Sequence, residues 1–206
     1  MVKRTKKFLF YLLCIYLLFM GCWAYVDRMK VDNLYRHGFR LFEEQIATYL
    51  KENYSGISKI EFSPIFRTGG GMEGFVNIEV TPVVYDNYGN KVYLRNGDII
   101  DIPVRKYGTL SGIDLDFAYG GSEIIYLYNA SYKSFSVEDY QQLPEYLKLP
   151  RDTFTDEAME AFSSKGYLKG VEKNDQGSPE AEIVYNLRVR RVDVREIHKW
   201  KIGKWQ

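Results

Sequence analysis

The sequence predicts an α+β protein carried on an N-terminal transmembrane helix. One long amphipathic helix follows, packed on an antiparallel meander of about five to seven strands with two short inserted helices. Three patterns predict it. Phe8 to Val26 is an unbroken apolar run. Val31 to Asn53 repeats apolar residues every three or four positions, the period of a helix with one buried face. From Ile57 onward the period falls to two, the signature of half-buried strands.

The apolar run comes first in the chain. Lys3, Arg4, Lys6 and Lys7 precede it, and Asp27 and Arg28 follow it. Its nineteen residues make a helix of roughly 28 Å, enough to cross a hydrocarbon core. The cations before it place residues 1–7 in the cytoplasm and residues 27–206 outside. Three readings of residues 8–26 stand side by side. An uncleaved anchor fits the length, and Trp23 and Tyr25 suit an interfacial belt. A cleaved signal is compatible with the small residues Cys22 and Ala24 around Trp23. A lipoprotein signal would acylate Cys22 after Gly21, although Phe19 and Met20 fit its usual box poorly. The anchor accounts best for the length.

In the amphipathic helix, Val31, Tyr35, Phe39, Phe42, Ile46 and Leu50 form one apolar face. Arg36, Arg40, Glu43, Glu44, Lys51 and Glu52 supply polar positions, and Asn53-Tyr54-Ser55-Gly56 closes the helix. Such a stripe requires a sheet to cover it. Ile57, Ile60, Phe62 and Ile65 predict a first strand, and Phe75 to Tyr85 a second, with the Arg67–Gly71 loop between them. Asp86 to Asn90 has turn composition. Val92 to Leu94 is a short return strand, Asn96-Gly97 a hairpin signal, and Ile99 to Val104 the strand after it. Ile113, Leu115 and Phe117 alternate with Asp114 and Asp116, and Gly120-Gly121 turns the chain into Ile124–Tyr128. A short helix is expected from Ser136 to Pro144 and another from Thr155 to Gly166. Alternation returns over Glu182–Trp205, with a break in phase at Arg190-Arg191.

Composition narrows the function. The chain has 28 basic and 27 acidic residues. Setting aside the four cations before the run leaves 24 against 27 in the exported part, no basic excess for nucleic acid. Cys14 and Cys22 both lie inside the run, so residues 27–206 hold no thiol or disulfide. No G-x-S-x-G, H-E-x-x-H or phosphate-binding loop is present, and no cofactor, metal or catalytic residue is expected. His37 and His198 have no metal-ligand spacing, Asp86, Asn87 and Asn90 read as a turn, and Gly69-Gly70-Gly71 as an inter-strand loop.

Three features suggest a binding surface. Asp114 and Asp116 share one strand face, with Asp98 and Asp101 close in sequence. The tyrosines crowd between Tyr119 and Tyr146, in a chain with 18 of them. Arg188, Arg190, Arg191, Arg195, Lys199, Lys201 and Lys204 make the C-terminal stretch basic, with Trp200 and Trp205 among them. Asp114, Asp116, Tyr119, Tyr126 and Tyr128 are the expected contact residues for a protein partner. The ordinary alternative for each is a solvated sheet face.

The phrase Tyr49-Leu50-Lys51-Glu52-Asn53-Tyr54, then Ile57, Ile60-Glu61-Phe62 and Gly74-Phe75-Val76-Asn77-Ile78, resembles small surface proteins of low-GC Gram-positive bacteria. The arrangement of anchor and cysteine-free α+β domain is similar to the streptococcal Tip-type immunity proteins, which guard the producing cell against toxins of the type VII secretion pathway. The resemblance implies a tethered, non-catalytic protein that occludes a secreted toxin. It assigns no residue a role. An envelope accessory or structural protein, whose partner is an envelope component, is the alternative. A carboxylate hydrolase using Asp114 and Asp116 ranks third.

Overall fold

The computed structural model describes residues 2–69, 75–95, 106–118 and 122–192. The chain divides into two compact units, Met1–Leu34 and Tyr35–Gln206. A single helix, α1 (Val2–Asn53), runs through both. The helix has no break over residues 27–32. In the first unit the apolar side chains from Leu9 to Val26 are uncovered. This helix is long and apolar enough to cross a membrane, and none of the apolar stretch is buried by protein.

The second unit is α+β, as the sequence predicts. Tyr35, Phe39, Phe42, Ile46 and Leu50 are buried on one face of α1. Leu41 and Tyr49 are buried too, so the packed face is wider than the single stripe. At the end of α1, Asn53 Nδ2 donates to Tyr49 O at 2.9 Å.

Thirteen strands follow among the described residues: β1 (Tyr54–Ser55), β2 (Ile57–Phe62), β3 (Ile65–Gly69), β4 (Val76–Val80), β5 (Pro82–Asp86), β6 (Lys91–Tyr93), β7 (Tyr107–Thr109), β8 (Gly112–Phe117), β9 (Glu123–Tyr128), β10 (Ser134–Ser136), β11 (Glu172–Lys173), β12 (Glu182–Val184) and β13 (Val189–Arg191). They are not one antiparallel meander. A seven-stranded sheet has the order β10-β9-β8-β7-β4-β3-β13, a four-stranded sheet the order β12-β2-β5-β6, and β1 pairs with β11. The pairs β12–β2, β13–β3 and β7–β8 are parallel.

The two larger sheets are linked by a shared bend. The expected first strand, 57–66, breaks at Ser63-Pro64 into β2 and β3. The expected second strand breaks at Thr81 into β4 and β5. The C-terminal strand breaks over 185–188 into β12 and β13, earlier than the phase slip at Arg190-Arg191 implied. The halves keep their neighbours: β12, β2 and β5 lie side by side in one sheet, and β13, β3 and β4 in the other. Three adjacent strands therefore cross from sheet to sheet together. Pro64 and Pro82, which donate no N–H to a ladder, flank the crossing. Side-chain and backbone bonds replace the ladder there: Ser63 N donates to Thr81 O at 3.0 Å, and Thr81 N to Ser63 Oγ at 2.8 Å.

The late helices also differ from expectation. Residues 136–144 do not form one helix. Two 3-10 turns, Val137–Asp139 and Glu145–Leu147, stand in its place, and the Ser136 side chain makes no cap. Pro144 blocks a longer helix by lacking an N–H. Helix α2 (Thr153–Ser164) begins two residues before Thr155, because Asp152 caps it by accepting from Thr155 N. It ends as expected at Gly166 (φ 75°). Gly166 N donates to Ser163 O and Tyr167 N to Phe162 O, which closes the last carbonyls in a Schellman arrangement.

Polar ties fix the helices to the sheets. Tyr35 donates to Glu123, Arg67 Nε donates to Tyr35 OH at 3.0 Å, and Arg67 pairs with Glu123 at 3.2 Å. Asp156 on α2 accepts from Tyr49 OH and Tyr54 OH, each at 2.6 Å, and pairs with Lys173 at 2.6 Å. Tyr107 OH and Thr155 Oγ1 are 2.8 Å apart. Glu43, fully buried on α1, is different. Burial holds its carboxyl well above the usual carboxylate range, against the pull of Arg40 and the Asn186 amide. Neither of its oxygens completes a hydrogen bond of good geometry.

Candidate partner-binding site

The register of β8 against β9 sets Asp114 opposite Tyr126 and Asp116 opposite Ile124. Residues two apart share a face, so Asp114, Asp116, Tyr126 and Tyr128 lie on one side of the sheet. The other side carries Ile113, Ile125 and Leu127, all buried. That buried side faces α1: a Cβ on Gly38 would lie 3.0 Å from Ile125. Asp114 is not a free carboxylate. Its Oδ2 accepts from Tyr128 OH at 3.1 Å and its Oδ1 from Leu115 N at 2.8 Å. Burial, then the Asp114 carboxylate, raises the Tyr128 phenol above its ordinary range. Asp116 is exposed and accepts from Phe117 N at 2.7 Å.

Tyr119, Asp98 and Asp101 fall outside the described residues, as do the Asn96-Gly97 hairpin, the Ile99–Val104 strand, Gly70-Gly71, Gly120-Gly121, His198 and the basic stretch beyond 192. Cys14 and Cys22 are free thiols on α1, and Cys22 is exposed. A ring nitrogen of His37 lies 2.9 Å from Val137 O. Asp86 anchors the 86–90 turn, accepting from Tyr88 N and Asn90 N at 2.8 Å and reaching Lys169 N at 2.8 Å, so its oxygens serve the fold. Among the described residues no group of three or more His, Cys, Asp and Glu is placed to hold a metal ion.

At its Tyr128 end this sheet face runs into a cleft of about 550 Å³. Three segments wall it: the β7–β8 loop, the β9–β10 loop and the start of α2. Each projects an apolar side chain at the rim. Leu110 is 87 % exposed, Tyr132 84 % and Phe154 55 %. Leu110 (φ 65°) and Tyr132 (φ 58°) are the two described non-glycine residues in the left-handed region. An L-residue there costs roughly 1–2 kcal/mol.

Local bonds over-determine both positions. Leu110 N donates to Ile113 O at 3.1 Å and Ser111 N to Gly108 O at 2.9 Å. Asn129 Oδ1 accepts from Ser131 N and Lys133 N, each at 3.0 Å, and Tyr132 N donates to Asn129 O at 3.0 Å. Glycine or asparagine would hold either turn at lower cost. Two large apolar side chains are held strained and uncovered at the mouth of one cleft. Tyr132 belonged to the tyrosine cluster visible in the sequence, whereas Leu110 and Phe154 carried no sequence signal. Comparison with protein-family models, with curated proteins and with solved structures found no match.

Proposed function

We propose that the chain is a membrane-tethered binding protein of the cell surface, with residues 1–7 cytoplasmic and the α+β unit outside. Its task is to occlude a secreted antibacterial toxin, as an immunity protein does. The observation that carries the binding role is the cleft rim: Leu110 and Tyr132, both strained and both exposed. Exposed apolar side chains at strained positions fit a contact made with another molecule. The sheet face of Asp114, Asp116, Tyr126 and Tyr128 extends that surface, placing charge beside aromatic anchors. The uncovered apolar stretch of α1 supports the tether, and the four cations before it support the orientation. Tethering raises the effective concentration of the binder where an incoming toxin meets the membrane.

The test is capture by the full-length protein in nanodiscs of secreted proteins encoded beside its gene. A stable complex that abolishes the toxicity of one of them is expected. Capture of none of them overturns the immunity role. A reporter fused after Gln206 and found on the cytoplasmic side overturns the placement.

A further inference from the structure

If the cleft is the binding site proposed above, its walls also select what enters it. Arg151 lines the cleft just before α2 and is exposed. Its Nε donates to Thr153 Oγ1 at 3.3 Å, and no carboxylate among the described residues pairs with it. Both Nη groups of the guanidinium are left as unused donors. Asn129, on the β9–β10 loop, adds another. Its Oδ1 accepts from Ser131 N and Lys133 N, so its Nδ2 is the end left over. The acidic group of the walls is already engaged. Asp152 is buried and accepts from Thr155 through both oxygens.

Donors and a positive charge, with no free acid beside them, suit an anionic acceptor. A planar guanidinium matches a carboxylate, which it holds through two parallel N–H···O bonds. A cationic occupant would meet Arg151 with nothing to compensate the repulsion. The rim adds a second requirement. Leu110, Tyr132 and Phe154 are exposed apolar side chains, which a small hydrated anion does not cover. A peptide segment meets both demands, with a carboxylate next to a large apolar side chain. The cleft, about 550 Å³, lies within the roughly 300–1,000 Å³ of ligand sites.

We propose that the cleft receives an acidic segment of a protein partner, with an aspartate or glutamate carboxylate bound by the Arg151 guanidinium and an adjacent apolar side chain packed against Leu110, Tyr132 and Phe154.

The test titrates the full-length chain in phosphatidylcholine nanodiscs with Ac-Ala-Phe-Glu-Leu-Ala-amide and with the same peptide carrying glutamine or lysine in place of glutamate. NMR signals of the Leu110 methyl groups and the Arg151 Nε–H report binding. The glutamate peptide should shift both, and the other two should bind roughly tenfold more weakly. Arg151→Glu should reverse the order and favour the lysine peptide. Leu110→Asn and Tyr132→Asn, which suit the left-handed backbone, should weaken the glutamate peptide. Lys165→Gln removes a cation at the far end of α2 and should leave its affinity unchanged. Equal affinity of the three peptides, no shift at Arg151, or an unchanged order in Arg151→Glu overturns the proposal. So does an equal loss in Lys165→Gln, the mark of general charge attraction. So does movement of these signals with protein concentration alone, which would put a second copy of the chain in the cleft. A toxin captured with these signals unmoved would refute only the cleft's occupant. The glutamate peptide seated at Arg151 with no toxin captured would refute only the immunity role.

Discussion

Replacing Glu43 with glutamine should remove a pH dependence of stability that the fold builds in. Glu43 is fully buried in the packed face of α1. Burial is the main reason its carboxyl stays protonated well above the ordinary value of 4.5. The charged neighbours do little to offset this. Arg40 is committed to Glu44 at 3.1 Å and lies 3.7 Å over the ring of Tyr185, while Asn186 offers one backbone N–H. The sign follows from proton counting. Above about pH 4.5 the unfolded chain releases a proton that the folded chain keeps. The stabilisation is therefore complete below that value and is lost as pH rises through the raised folded value. Each pH unit in that window costs about 1.4 kcal/mol. Glutamine keeps the size and neutrality of the protonated acid without a proton to lose. Urea unfolding of both full-length proteins in micelles, followed by circular dichroism at pH 5, 6 and 7, yields the difference in stability. Taking the difference cancels every other titrating group. The variant should gain on its parent by up to about 1.4 kcal/mol per unit. A difference that does not change with pH would show Glu43 ionising in the fold and refute the argument.

Leu110→Asn should raise stability by about 1 kcal/mol, since asparagine tolerates the left-handed backbone; a lower melting temperature would count against strain at that turn. Asp156→Ala should cost about 1–3 kcal/mol in urea unfolding, because the hydroxyls of the buried Tyr49 and Tyr54 lose one shared acceptor, while the half-exposed Lys173 adds little. Despite its burial, the Asp156 carboxyl lies below its ordinary range through Lys173, Tyr49 and Tyr54. Its stabilisation is present above about pH 4 and fades as pH falls through the lowered value; an acid unfolding midpoint unchanged in the variant would contradict this. Ser63→Ala should cost about 1–3 kcal/mol by stranding the Thr81 N–H at the bend, and faster hydrogen exchange at Thr81 is the signature to look for.

The sequence alone determined what depends on near neighbours. The uncovered apolar stretch from Leu9 to Val26 and the buried stripe Tyr35, Phe39, Phe42, Ile46 and Leu50 are properties of local period and apolarity, which act over a few residues. The glycine stop of α2 and the shared strand face of Asp114 and Asp116 were legible for the same reason, whereas the register that adds Tyr126 and Tyr128 to that face was not. The tertiary structure decided what depends on residues far apart in the chain. Ser63-Pro64 reads as one point in a strand until Thr81 and the 185–188 segment align with it and three strands bend together. Leu110 is an ordinary leucine in sequence; its strain exists because the β7–β8 loop must close within a few residues. Gln45 looks like one more polar position on an amphipathic helix. Only when Tyr128 and Leu147 arrive from over eighty residues away do they claim its nitrogen and hold its side chain fully buried. Periodicity encodes which face of an element is buried, whereas a site is made where elements meet, and that meeting is fixed by packing and hydrogen bonds between distant segments.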